Sequence, residues 1–323
     1  MFYDDGNDYL IVYRDGTFTI TSLADRSIAP QVPLPPHNAP RASPSRLHSM
    51  RQTGSASAGR GVQAVDFLRR APVLGVRFSL DKRHICIQRS HTDIDVVSLQ
   101  DGAEISYSCK GKGQGNMLHG VVWTNDTLWD LVLVTMQGLE LLKLADGGGS
   151  LKLVKHDRRA IHWHSYLHSN RLLALCSGKD YATVQCFQLM PDKLLKLPDF
   201  DPEMPPPPSG RRSRLDKASI VLCKLYDKLC CIHVNAARQE MVIYQLGRAA
   251  IGRLCTVNLF SASDRYALSV TDNLIAVHNT DARITMLFDA WLLQWSSHPV
   301  AAPLPLGGPP APGAPDGELR DCV

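Results

Sequence analysis

Four histidines lie close together near the middle of the chain, and histidine is a common ligand of zinc and other transition metals. They are His156, His162, His164 and His168. Side chains alternate between the two faces of a strand, so His162 and His164 would share one face within the reach of a metal ion. No carboxylate or cysteine completes the spacing. We therefore interpret these histidines as solvent-facing residues of a β-sheet and predict no metal site.

A glycine-rich segment at residues 110–116, Lys-Gly-Lys-Gly-Gln-Gly-Asn, has the composition of a phosphate-binding loop. The Walker pattern requires Gly-Lys-Ser/Thr before a helix, and the dinucleotide-binding pattern requires a strand-to-helix connection. In this chain the next apolar run has the character of a strand. The segment is therefore predicted to be a mobile turn between strands, with no bound cofactor.

The remaining reactive residue types also favour structural roles. Cys230 and Cys231 are adjacent in an apolar run, so their side chains would point to opposite faces and could not bind one ion together. The triplet Asn125-Asp126-Thr127 matches a glycosylation sequon but is predicted to be a plain turn. Gly-x-Ser-x-Gly and His-Glu-x-x-His patterns are absent from the sequence. We predict that the protein is not an enzyme and has no catalytic, cofactor-binding or metal-binding residues.

The basic residues are concentrated in low-complexity segments. Residues 26–70 hold seven arginines and a single acid, Asp66, whereas the whole chain has a net charge of +4. Three further arginines, Arg211, Arg212 and Arg214, lie near Lys217. A nucleic-acid-binding protein would be expected to carry its basic residues on a folded face, so no nucleic-acid partner is predicted. The loop charges are solvated or meet anionic lipid in a peripheral membrane contact, and phosphorylation of Ser43, Ser45 or Ser213 would reduce their charge.

An aromatic residue that closes a short apolar run and precedes a polar turn recurs along the chain. The instances are Phe78, Trp123, Tyr166 and Phe260, at intervals of 45, 43 and 94 residues, the last being twice 47. Periods of roughly 40 to 50 residues in a strand-rich chain are typical of propeller blades. The pattern predicts an all-β fold, a WD-repeat-like β-propeller with Pro/Arg-rich loop insertions.

The domain organisation follows from the distribution of apolar runs and prolines. Residues 1–23 are predicted to form an incomplete first blade, 24–70 a disordered Pro/Ser/Arg-rich insertion, 71–290 the other blades, and 291–323 a disordered Pro-rich tail. The later blades are assigned to about 73–99, 118–144, 151–189, 218–246 and 254–288. Six blades are recognisable, the first of them incomplete, and a last blade is expected to be missing. A propeller that lacks a blade would expose the edge of a strand. We therefore expect the chain to be a piece of a longer protein.

Composition places the chain among globular proteins of reducing compartments. Its 44% hydrophobic share allows a sizeable core. Nine cysteines show no paired spacing and lie mostly in apolar runs, which indicates reduced, buried thiols in a cytosolic protein. The amino terminus lacks signal-peptide features, and no run of about 18 apolar residues occurs, so any membrane association is predicted to be peripheral.

Several strand segments resemble the family called regulator of the Mon/Ccz complex, also known as Mic or Bulli. The first set comprises residues 73–82, Ile87-Gln88-Arg89, 118–124 and 137–140; the second comprises 150–155 with Trp163, Lys196-Leu197-Pro198, 272–278 and Phe288-Asp289. The similarity extends over about residues 2–20 and 73–300 in the family's order. The arginine-rich insertion departs from the family pattern, and the family's last blade and helical region are not found after residue 300.

The resemblance implies both an architecture and a function. The implied architecture is an amino-terminal β-propeller that precedes a helical region, and the implied function is that of a non-catalytic subunit of the Mon/Ccz guanine-nucleotide exchange factor. The expected partners are the Mon and Ccz subunits and, indirectly, the late-endosomal Rab GTPase. The expected location is the cytoplasm, at the cytosolic face of late endosomes and lysosomes, with roles in endosome maturation and autophagosome fusion. The matching motifs carry the fold, so the partner-binding residues are unknown.

Two other functions remain open from the sequence. One is a different propeller-type vesicle tether or coat subunit, because a fold does not fix a function. The other is a propeller hydrolase or lectin with a ligand in its central channel. That alternative requires acids or histidines that converge from the innermost strands, and the sequence does not clearly provide them.

Overall fold

A computed structural model describes residues 2–14, 17–23, 72–110, 116–124, 126–145, 149–178, 180–204, 214–263 and 265–295. The arginine-rich insertion, residues 111–115 of the glycine-rich segment, Asn125, the arginines at 211 and 212, and the chain from residue 296 lie outside these ranges. The three serines considered for phosphorylation lie outside them as well. What was predicted for these segments stays a prediction.

The chain divides into two compact units. The large unit comprises residues 1–217 with 247–251, and the small unit comprises 218–246 with 252–323. Each unit is built from antiparallel sheets whose strands follow one another in chain order. We number the sheets 1 to 6 along the chain.

The large unit contains sheets 1 to 4. Sheet 1 consists of β1 (Phe2–Asp4), β2 (Tyr9–Arg14) and β3 (Thr17–Ser22). Sheet 2 consists of β4 (Gly75–Phe78), β5 (His84–Gln88), β6 (Asp93–Ser98) and β7 (Glu104–Ser108). Sheet 3 consists of β8 (Leu118–Trp123), β9 (Leu131–Thr135), β10 (Gly138–Leu144) and β11 (Leu151–Arg158). Sheet 4 consists of β12 (Trp163–Leu167), β13 (Leu172–Ser177), β14 (Thr183–Leu189) and β15 (Leu194–Lys196).

The small unit contains sheets 5 and 6 and one short helix. Sheet 5 consists of β16 (Ile220–Leu225), β17 (Lys228–Asn235), β18 (Glu240–Leu246) and β19 (Ile251–Asn258). Sheet 6 consists of β20 (Tyr266–Thr271), β21 (Leu274–Asn279) and β22 (Ile284–Asp289), and the helix α1 (Ala290–Trp295) follows. Sheets of this meander type are the blades of a β-propeller, so the predicted fold class is confirmed.

Apolar residues from neighbouring sheets form the cores. In the large unit, one core joins sheets 1 and 2, a second joins sheets 2 and 3, and a third joins sheets 3 and 4. In the small unit, a single core joins sheets 5 and 6 with α1. The first strands of sheets 1 to 4, namely β1, β4, β8 and β12, contact one another in sequence along the unit. The sheets therefore stack face to face, with their first strands side by side.

Two strands belong to other sheets than predicted. The run that begins at Leu151 was assigned to the fourth blade, but β11 pairs with β10 and is the fourth strand of sheet 3. The run that ends at Phe260 was assigned as the first strand of the sixth blade, but β19 is the fourth strand of sheet 5. In both cases the apolar pattern predicted the strand correctly, but it did not predict the sheet to which the strand belongs.

Residues 291–295, at the start of the predicted disordered tail, are helical in α1. In the part of the chain that the structure describes, no helix is long and apolar enough to span a membrane. Eight cysteines within that part are free thiols, of which six are buried and two, Cys109 and Cys255, are half-buried.

Candidate functional site

The first strands of the large unit enclose a polar cavity of about 290 Å³. Strands β1, β4, β8 and β12 each contribute lining residues, and β5 and the segment just before sheet 5 contribute the rest. The polar side chains of the lining are those of Tyr3, Arg77, Gln88, His119, His164 and Lys217. Because the cavity draws on residues from 3 to 217, only the folded unit assembles it.

Gly120 allows β12 to approach β8 closely at the cavity wall. A Cβ atom added at Gly120 would lie 2.4 Å from Cε1 of His164, which is far closer than van der Waals contact permits. The imidazole of His164 therefore lies directly over the glycine backbone. Any other residue at position 120 would displace the ring.

Two hydrogen bonds hold the segment that carries Lys217. The indole Nε1–H of Trp163 donates to the carbonyl oxygen of Leu215 at 2.8 Å, and the backbone N–H of Leu215 donates to the carbonyl oxygen of Tyr181 at 3.0 Å. The Leu215 side chain is itself buried. Lys217 follows two residues later, at the start of a 3₁₀ turn, so its ammonium group is kept at the cavity.

Arg77 is the second cation of the cavity. Its Nη1 lies 3.3 Å from Oδ1 of Asp5 and also donates to the carbonyl oxygen of Tyr3. Next to Asp5, the buried carboxylate of Asp4 accepts hydrogen bonds from the backbone N–H of Phe78 at 2.8 Å and from Asn7 Nδ2 at 3.2 Å. Burial raises the pKa of Asp4, and these hydrogen bonds oppose that shift. Together the contacts join β1 to β4.

Both histidines of the cavity are neutral at pH 7. Burial lowers the pKa of His164 to about 3, with further lowering by the positive charges of Lys217 and Arg77 and by His119. Burial also lowers the pKa of His119, whose Nε2 lies 3.2 Å from the carbonyl oxygen of Ile161. The lining includes no aspartate or glutamate. The cavity therefore combines two cations, Lys217 and the Arg77 that is paired with Asp5, with neutral imidazoles that can donate or accept a hydrogen bond.

The structure separates the four histidines of the sequence cluster. His162 is exposed, precedes β12 and packs on the ring of Tyr181 with centroids 4.6 Å apart. His164 lines the cavity, so the prediction that it faces solvent is wrong. His168 contacts the ring of Tyr166 edge-on at 5.3 Å, and His156 lies on β11. Within the described ranges, no group of three or more His, Cys, Asp or Glu side chains could hold a metal ion.

The other sequence candidates occupy structural positions where the structure describes them. Cys230 and Cys231 are both buried in β17, so their predicted role in core packing is confirmed. The hydroxyl of Thr127 donates to the carbonyl oxygen of Pro191 at 2.8 Å, and Asp126 forms an ion pair with Arg171. These residues tie the turn after β8 to sheet 4.

The sequence did not identify Arg77, Gln88, His119 or Lys217 as members of one site. In the sequence, Lys217 lies beside the loop arginines, in a basic segment predicted to be solvated or to meet anionic lipid. Its role at the cavity depends on the Trp163 to Leu215 hydrogen bond, which joins residues 52 positions apart. No local pattern signals such a contact.

Comparison with known proteins bears on the identity of the chain. The family model described as "Regulator of MON1-CCZ1 complex, N-terminal" matches residues 48–150. A mouse protein named "Regulator of MON1-CCZ1 complex" is 26% identical over 228 residues, which is 68% of this chain and 34% of the mouse protein. The predicted family resemblance is confirmed. A human protein of the same name is 25% identical over 222 residues, or 66% of this chain and 34% of that protein.

The chain therefore spans about a third of the length of these mouse and human relatives. Among solved structures, the β-propeller domain of Cps50 (Swd1) from Myceliophteria thermophila matches with a TM-score of 0.45 and 16% sequence identity. That match covers 90% of this chain and 95% of the Cps50 domain.

Proposed function

We propose that this chain is a non-catalytic scaffold subunit of the Mon/Ccz guanine-nucleotide exchange factor complex. In this role it supports activation of the late-endosomal Rab GTPase, and through it endosome-to-lysosome maturation and autophagosome fusion. The proposal rests on one observation, the similarity to mouse and human regulators of the MON1-CCZ1 complex over two thirds of the chain. The aligned relatives are named for the complex and not for a reaction.

The described residues fit a scaffold better than an enzyme. The cavity thiol, Cys86, is fully buried, and burial raises its pKa well above the usual range, so it would not supply a thiolate nucleophile. The lining also lacks the paired carboxylates of a hydrolase. Blades packed face to face instead provide rigid surfaces on which other proteins can dock. In the proposed complex, nucleotide exchange is carried out by Mon and Ccz.

The proposed location is the cytosolic face of late endosomes and lysosomes, reached by binding to Mon and Ccz. A peripheral membrane contact through the arginines of residues 26–70 would add to this attachment at about 1 kcal/mol for each basic residue near anionic lipid. Those arginines lie outside the described residues. Their contribution can be tested by replacing them and measuring flotation with anionic vesicles.

The test uses purified chain and purified Mon/Ccz heterodimer. In a pull-down, the chain should retain the heterodimer, while an unrelated propeller of similar size should not. Release of fluorescent GDP from the late-endosomal Rab should require the heterodimer and should not occur with the chain alone. If the heterodimer is not retained by this chain but is retained by a longer form of the protein, docking does not occur through the propeller. Retention of coat or tether subunits instead, identified by mass spectrometry, would replace the proposal.

A further inference from the structure

The polar cavity of the large unit has no part in the proposed scaffold role. We propose that it binds a small phosphate-containing anion, with Lys217 and Arg77 as the charged ligands and the imidazoles of His119 and His164 as hydrogen-bonding partners. This inference is independent of the proposed function, because it concerns a ligand of the chain itself.

The charged side chains of the cavity favour an anionic ligand. Two cationic side chains reach it, and its lining includes no carboxylate. Both contacts of Arg77 with sheet 1, to Asp5 and to the Tyr3 carbonyl, are made by Nη1. A guanidinium has five N–H donors, so the other two nitrogens remain for a ligand. Guanidinium and ammonium groups form their strongest hydrogen bonds with phosphate and carboxylate oxygens.

The volume of the cavity and its buried imidazoles also fit a phosphate group. A cavity of about 290 Å³ has the volume of about ten waters at about 30 Å³ each, which is room for a phosphate or a diphosphate group. In the described part of the chain no hydrogen bond to His164 is observed, although the ring is largely removed from solvent. An oxyanion would provide that partner. It would also offset the positive charges that surround the two rings.

This arrangement couples binding to proton uptake. The groups that face His164 are Lys217, His119 and Arg77, and those that face His119 are His162, Lys217 and the Ile161 carbonyl. Burial is the main cause of the lowered pKa of both rings, and the neighbouring cations and histidines lower it further. A bound anion has the opposite charge and must raise the pKa of both rings. For an anion whose own charge stays constant, affinity should therefore increase as the pH is lowered.

The test measures binding of inorganic pyrophosphate to the full chain by calorimetry. We expect saturable binding, and we expect Lys217→Gln to weaken it at least about tenfold, which is the usual cost of losing one charge-assisted hydrogen bond. Lys217 is exposed, so this variant should fold normally. The matched control is Lys155→Gln, which removes an exposed lysine from the outermost strand of sheet 3 and should leave the affinity unchanged.

A second arm distinguishes a soluble ligand from a lipid headgroup. Phosphatidylcholine vesicles with and without phosphatidylinositol phosphate are tested for co-sedimentation with the chain, and pyrophosphate is added as competitor. Lys217-dependent sedimentation that pyrophosphate reverses identifies a headgroup as the source of the phosphate. Pyrophosphate binding without vesicle binding identifies a soluble ligand. Either result supports the site.

Histidine titration by nitrogen-15 NMR gives a readout that a purely structural role would not change. Pyrophosphate should raise the pKa of His164 and His119 and leave the nitrogen-15 signals of His278, in sheet 6, unchanged. The proposal is overturned if neither probe binds saturably, if Lys217→Gln binds as well as the parent, or if Lys155→Gln weakens binding equally. Unchanged titration of His164 in the presence of saturating pyrophosphate would also overturn it. None of these measurements includes Mon or Ccz, so their outcome leaves the scaffold proposal untouched.

Discussion

Sheets 3 and 6 bury their strands in different ways. In sheet 3 every residue of β9 is buried: Val132 and Val134 belong to the core shared with sheet 4, while Leu131 and Leu133 belong to the core shared with sheet 2. In sheet 6, half-buried and exposed residues alternate along β20, and Leu268 packs against the one core of the small unit. A strand between two sheets must be apolar at each position, whereas a strand covered on one face needs only alternate apolar residues.

The largest expected effect tests this difference in burial. Leu133→Ala should lower the free energy of unfolding by about 3 kcal/mol or more, because it opens a cavity in a closely packed core. The matched change Leu268→Ala should cost about 1 kcal/mol, since that side chain is only half-buried. Urea unfolding followed by far-ultraviolet circular dichroism measures both. Equal losses would mean that Leu268 is as fully buried in solution as Leu133.

A smaller effect on the free energy of unfolding is expected from the buried carboxylate of Glu140, in β10 of sheet 3. Glu140 is fully buried, accepts a hydrogen bond from the Tyr107 hydroxyl at 2.8 Å and another from the Lys110 backbone N–H at 2.7 Å. Burial raises its pKa above the ordinary 4.5, although these hydrogen bonds act to lower it. Between 4.5 and its raised pKa, the folded chain binds more protons than the unfolded chain, so stability must fall as the pH increases through that window.

Glu140→Gln should remove that part of the pH dependence. Urea unfolding at a series of pH values, for the parent and the variant, gives the two curves to be compared. The control Glu104→Gln, at an exposed position of β7, should keep the slope of the parent. A parent whose stability increases with pH over this range, relative to Glu140→Gln, would contradict the raised pKa.

The smallest expected effect concerns sheet 6. Arg265 Nη2 lies 2.8 Å from Oδ1 of Asp281, but both side chains are more than a third exposed. Exposed ion pairs contribute little because solvent screens them, so Arg265→Gln should change the free energy of unfolding by less than about 0.5 kcal/mol. Repeating the measurement in high salt should abolish even that difference. A loss several times larger would show that the pair is covered by neighbouring chain.

The sequence predicted the blades because their first strands end in a recognisable way. Phe78 and Trp123 are buried at the ends of β4 and β8, and Tyr166 is half-buried near the end of β12. Trp123 also donates its indole N–H to the Arg77 carbonyl oxygen at 3.1 Å, which fastens β8 to β4. An aromatic residue at this position thus packs between blades, and this packing is repeated from blade to blade.

The fourth instance of the pattern was misleading. Phe260 lies beyond the end of β19 and is 56% exposed, so it does not pack between sheets as the other three do. The first strand of sheet 6 is instead β20, which ends at Thr271. An apolar run with an aromatic end is a local feature, whereas the choice of the strand with which it pairs depends on the packing of the whole sheet.

The cavity was beyond sequence reasoning for a related reason. His164 was noted for its spacing from His162, but the feature that places it is the close approach to Gly120. Lys217 reaches the same cavity through the Trp163 to Leu215 hydrogen bond. Both contacts join residues that are distant in the sequence, 44 positions apart for Gly120 and His164 and 52 for Trp163 and Leu215, and neither leaves a periodic signal in the chain.

The free cysteines have a practical consequence. Burial raises the pKa of Cys176, Cys186 and Cys223 to about 12, so the thiolate form that reacts with alkylating reagents is scarce while these sheets are intact. Modification will then proceed at the rate at which each sheet opens. Because the thiols are distributed over sheets 2, 4 and 5, a timed alkylation followed by peptide mass spectrometry would record the order in which individual blades loosen, without any engineered label.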